Sequence, residues 1–92
     1  MVTSFVLINA VPARVADLAE ELADLPSVTE VYSVAGEADL VAVIRVRRHE
    51  ELADVVTQEI GRLDGIVSTR TMVAFRAYSP RDLDAMWSIG VD

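Results

Sequence analysis

At 92 residues the chain holds one domain that buries only about 60 to 65% of its unfolded surface, so association with further copies would help it. A hydrophobic share of 52% beside 25% charged residues excludes a disordered chain. The formal charge of −7, from eight Arg and no Lys against fifteen Asp and Glu, repels a phosphate backbone and argues against nucleic acid as a direct partner.

No basic leader precedes an apolar segment, and no run approaches the roughly 18 to 20 apolar residues that span a bilayer, so a cytoplasmic protein without membrane contact is expected. The absence of Cys removes disulfides, thiolate metal sites and cysteine nucleophiles together.

In chain order, Phe5-Val6-Leu7-Ile8 centres a first strand over about residues 3–11. Residues of both parities are apolar there, so both faces of this strand should be covered. Pro12 suits the first turn of a helix, in which Val15, Leu18, Ala19 and Leu22 form one apolar stripe. Asp17, Glu20, Glu21 and Asp24 make a solvated acidic side, and Pro26 stops the helix.

Residues 28–34 read as a second strand and 39–47 as a third, joined through Gly36 as a hairpin. Leu40, Ala42, Ile44 and Val46 share one face of the third strand, while Val41, Val43, Arg45 and Arg47 share the other. A second helix is expected over 49–63, with Leu52, Val55, Val56, Ile60 and Leu63 at helical spacing. Asp64-Gly65 turns the chain into a long fourth strand over 66–78. Val67, Thr69, Thr71, Val73, Phe75 and Ala77 share one of its faces, and Ser68, Arg70, Met72, Ala74 and Arg76 the other. Ser79-Pro80-Arg81-Asp82 has the form of a capping box and opens a short last helix with Leu83, Met86 and Trp87 on one side.

The order β-α-β-β-α-β plus a C-terminal helix is the ferredoxin-like α+β pattern: one antiparallel sheet with both main helices on one face. The other face then carries apolar residues with little to cover them, and the simplest cover is a second copy, sheet against sheet, as a homodimer.

Catalytic chemistry is hard to assemble from these residues. The single His49 sits at a helix start with no second His or Cys to make a metal site, and no G-x-S-x-G, G-x-G-x-x-G or Walker loop is present. No catalytic residue, metal or cofactor is therefore assigned. The 34–40 segment is more suggestive. Outward N–H groups around Gly36 can receive an α-carboxylate, and Glu37 or Asp39 can accept from an α-ammonium. Equally, Gly36 can supply a positive φ and Asp39 can cap the turn. Thr69 and Thr71 can line a pocket, or serve as ordinary β-branched strand residues.

Val28-x-x-Val-Tyr-x-Val-x-Gly-x-x-Asp-Leu, followed by a helix and Gly65-Ile-Val-x-Thr69-x-Thr71-x-Val, resembles the effector-binding (RAM) domain of Lrp/AsnC transcriptional regulators over about residues 3–78. The resemblance implies a ferredoxin-like domain that dimerises into an αβ-barrel and assembles into larger oligomers, with an amino-acid effector at the contacts between dimers. It also places ligand binding on Gly36, Glu37, Asp39, Thr69 and Thr71. Those regulators carry an N-terminal helix-turn-helix domain, whereas this chain starts with the first strand. It is therefore expected to be a single RAM domain, residues 1–92, that modulates a full-length Lrp/AsnC regulator by co-assembly. The alternative is a small cofactor-independent enzyme of the dimeric αβ-barrel type, for which Asn9, Tyr32 and Trp87 are the polar candidates.

Overall fold

A computed structural model of the chain describes residues 1–78 and residue 80. The elements follow in the expected order: β1 (Val2–Ala10), a 3-10 turn (Pro12–Arg14), α1 (Val15–Ala23), β2 (Val28–Ser33), β3 (Leu40–Val46), α2 (His49–Asp54) continued by a π-helical turn (Val55–Ile60), and β4 (Ile66–Val73). All pairings are antiparallel and the strand order is β2-β3-β1-β4, the ferredoxin-like arrangement. The expected C-terminal helix lies outside the described residues.

Alternation along the strands sets the two faces. Val6 and Ile8 of β1, with Leu40, Ala42, Ile44 and Val46 of β3, are buried against Leu18 and Leu22 of α1 and against Leu52, Val55 and Ile60 of the second helical segment. The apolar stripe read from the first helix is thus its core face. On the opposite face of the sheet Phe5, Leu7 and Val41 are only half-buried, and Tyr32 and Met72 are exposed.

Two elements differ from expectation. The second helix leaves α geometry at Val55, and Gly61 N–H donates to Val56 C=O, five residues back. Thr57 Oγ1 donates to Ala53 C=O at 2.7 Å, a bond that competes with the α-helical ladder. Val55 and Ile60, five apart, are both buried, a spacing that a π turn brings onto one face and an α turn does not. The fourth strand ends at Val73 rather than 78, after which Ala74 N–H still donates to Thr3 C=O at 2.9 Å.

The entry to β4 is tied to α1. Arg14 donates to both carboxylate oxygens of Glu21 at 3.0 Å and to Asp64 C=O at 3.2 Å. Its side chain lies over Gly65, which has φ 97°, and a Cβ there would come within 2.7 Å of Arg14 Cγ. The hydrogen bonds to Glu21, ahead of the charges of Glu21, Asp17 and Asp64, push the Arg14 pKa up.

Candidate ligand site at the hairpin loop

The loop between β2 and β3 closes with Val34 N–H donating to Asp39 C=O at 3.0 Å. Gly36 takes φ 124°, and no atom lies within 4 Å of the position a Cβ would occupy, so the backbone rather than crowding requires glycine here. Residues 35–37 are exposed, while Ala38 is buried and pins the far side of the turn.

Asp39 fastens the loop to the end of β1. Its N–H donates to Ile8 C=O at 2.9 Å, and its Oδ2 accepts from Ala10 N–H at 2.9 Å. These bonds straddle Asn9, where the β1–β4 register shifts. Asn9 in turn donates through Nδ2 to Glu37 C=O at 2.8 Å. Of the two acidic side chains in the loop, Asp39 is engaged with the backbone, whereas Glu37 is exposed.

The Glu37 carboxylate meets Arg70 of β4, Nη2 to Oε1 at 3.2 Å, with both side chains largely in solvent. Sequence reasoning gives Arg70 no role. Its only signal there is a charge alternating between two threonines, and the 33-residue gap to Glu37 is bridged by register alone. Leu7 pairs with Arg70, which puts that guanidinium on the open face of the sheet.

Thr69 and Thr71 pair with Ile8 and Val6 and so lie on the opposite, helix-bearing face. They remain exposed because α1 packs on β2 and β3, and α2 on β3, leaving β4 uncovered. Neither hydroxyl has a hydrogen-bond partner among the described residues. One chain therefore joins Gly36, Glu37 and Asp39 in one loop, adds Arg70, and leaves Thr69 and Thr71 on the far side of β4.

Two of the three candidates for an enzymatic site are otherwise engaged. Asn9 holds Glu37, Tyr32 donates to Glu30 Oε2 at 2.7 Å, and Trp87 lies outside the described residues. That hydrogen bond first, and the Glu30 charge second, push the Tyr32 phenol pKa up. Between sheet and helices the space is filled by apolar side chains, and among the described residues the one buried polar residue is Ser4. No group of three or more His, Cys, Asp or Glu that could hold a metal occurs among the described residues, and no helix there is long and apolar enough to cross a membrane.

Residues 3–83 match the model of the Lrp/AsnC ligand binding domain. An uncharacterised HTH-type transcriptional regulator of Pyrococcus abyssi is 36% identical over 72 residues, covering 78% of this chain and 46% of its own. The chain spans about half the length of the curated relatives it matches. Among solved structures, a Thermus thermophilus protein is 54% identical with a TM-score of 0.82, covering 86% of this chain and 99% of its own. A feast or famine regulatory protein from M. tuberculosis, complexed with L-methionine, is 30% identical with a TM-score of 0.73, over 88% of this chain and 55% of that one.

Proposed function

The chain belongs to the Lrp/AsnC ligand-binding-domain family, and from that premise we propose that it is a non-enzymatic cytoplasmic sensor of an amino acid or a related metabolite. The observation that carries this reading is the M. tuberculosis regulator complexed with L-methionine, matched over 88% of this chain. The loop geometry supports it. An exposed tip at residues 35–37, a charged pair, and two exposed threonines are polar groups on display at the surface.

Gly36, Glu37, Asp39, Thr69 and Thr71 form the site in this proposal, with Asp39 acting mainly as the brace of the loop. Because Thr69 and Thr71 stand on the other side of β4 from Arg70, a complete pocket needs a neighbouring copy. The protein works as a homodimer joined through the open sheet faces, further assembled so that dimers meet at these loops. Its effect on transcription passes through co-assembly with a full-length Lrp/AsnC regulator, which supplies the DNA contact that a chain of charge −7 disfavours.

Thermal denaturation with each standard amino acid at millimolar concentration tests the proposal. A ligand at a hundred times its Kd stabilises the fold by about 2.7 kcal/mol, a clear rise in midpoint for so small a domain. A midpoint unmoved by every amino acid would overturn the sensor reading.

A further inference from the structure

We propose that the strip of β4 on the helix-bearing face is the seat of this chain's own C-terminal segment, residues 79–92, and that this segment and a neighbouring dimer exclude one another there. The seat follows from the fold alone. The exclusion rests on the reading above, which gives Thr69 and Thr71 to a ligand closed over by another copy.

From Val67 to Val73 every residue of β4 is exposed, so neither face of this strand is covered. A second copy on the open sheet face covers the parity of Arg70 and Met72 and leaves the other parity bare. Thr69, Thr71 and Val73 pair with Ile8, Val6 and Ser4, each fully buried, yet the helices pack on β2 and β3 rather than on β4. Ala74 N–H continues the pairing with Thr3 C=O at 2.9 Å, and Phe75, the next residue of the strip, is 100% exposed. The strip therefore ends in an apolar patch of Val73 and Phe75, where a third helix would complete the layer.

The sequence just beyond that patch has matching chemistry. Leu83, Met86 and Trp87 recur at i, i+3 and i+4, with Arg81, Asp84 and Ser88 on the other side. Residues 84–92 also run past the family match, which ends at 83. Length and direction agree as well. Residues 74–79 lie between Val73 and Pro80, a connection long enough to reverse the chain. The helix expected from Pro80 to Asp92 spans about 20 Å, and Phe75 back to Thr69 on an extended strand is also about 20 Å. So short a tether holds the segment at its own strand at an effective concentration on the order of millimolar, which favours it over the same segment of another copy. Seating Leu83, Met86 and Trp87 on Val73 and Phe75 takes both apolar surfaces out of water together. It also covers the two threonines, so a neighbouring copy reaches them only by displacing the segment.

Thiol labelling of the full chain tests the seat. The protein has no Cys, so one introduced thiol reports one position. Thr71→Cys and Met72→Cys, adjacent but on opposite faces of β4, are labelled with a maleimide, each with and without the paired change Leu83→Asp and Trp87→Asp. All are labelled at a dilution where they sediment as dimers. The paired change is expected to speed labelling at Thr71→Cys about ten-fold or more, as for a position otherwise reached only by local opening, and to leave Met72→Cys within two-fold. An unchanged rate at Thr71→Cys overturns the seat. An equal gain at both positions also overturns it, by putting the segment in the dimer contact. If excess wild-type chain restores slow labelling to the paired variant, the segment seats on another copy and the own-chain assignment falls. The exclusion is read separately, by sedimentation velocity at higher concentration without ligand, where the paired variant should form larger multiples of the dimer than wild type. Equal sizes overturn the exclusion and leave the seat standing. Because labelling needs no ligand, failure of every amino acid to bind would remove the sensor reading without touching the seat.

Discussion

Asp39 is the residue at which the sequence leaves a ligand role and a structural role both open, and its hydrogen bond to Ala10 N–H at 2.9 Å gives weight to the structural one. Ala10 is buried, so an Asp39→Ala change leaves its N–H without a partner and is expected to cost about 1 to 3 kcal/mol of stability. Urea denaturation reads this directly; a variant as stable as wild type would show that the brace is dispensable. Tyr32 gives a pH-dependent counterpart. Its phenol is raised above the ordinary value by Glu30, so the protonated form is favoured in the folded state. The stabilisation is complete below the unfolded phenol pKa of about 10 and is lost as pH rises through the higher folded value. Absorbance titration should show the Tyr32 midpoint moving down in Glu30→Gln. A Tyr32 midpoint unmoved by Glu30→Gln would remove the Glu30 contact. Gly36 and Asp39 are legible in sequence because a glycine and an aspartate around a turn have few alternative uses. Arg70 is not, since its relation to Glu37 exists only once the strands are in register.

At the scale of elements, periodicity suffices wherever one residue type repeats on one face. The α1 stripe is an example: Leu18 and Leu22 are fully buried. Leu22→Ala should cost about 2 to 5 kcal/mol by denaturant unfolding, as expected for a cavity in a packed core, whereas Glu20→Ala on the exposed side should change little. A Leu22→Ala loss under about 1 kcal/mol would mean that α1 repacks freely over the sheet. Periodicity misleads in the second helix, where apolar residues at 52, 55, 56, 60 and 63 fit α spacing well enough to hide a change of winding. The clue lies in Val55-Val56-Thr57: branched side chains fit an α turn poorly, and the Thr57 hydroxyl takes the Ala53 carbonyl. Alternation also overextends the fourth strand, because it continues through Phe75 and Ala77 although pairing with β1 stops at Val73. Thr69 and Thr71 keep the expected shared face, but only the packing of the helices over the other strands reveals that this face is open at β4.

For the whole molecule, the consequential feature is the uncovered sheet face. Phe5, Leu7, Val41, Tyr32 and Met72 present apolar surface on the side away from both helices, and a domain of 92 residues has little stability to spare for leaving it wet. The both-parity apolar run of β1 anticipates this: one parity meets the helices, and the other awaits a second layer. In the proposed assembly a dimer covers that face, and further copies bring Thr69 and Thr71 toward a loop that is not their own. Ligand and assembly are then linked, since an amino acid held between copies favours the assembled state in proportion to its occupancy. Sedimentation velocity of the full chain, with and without each standard amino acid, measures that linkage most directly. A particle no smaller than a dimer is expected in the absence of ligand, with a shift toward multiples of the dimer with at least one apolar amino acid. A monomer, or a dimer whose sedimentation is the same with every amino acid, would contradict it.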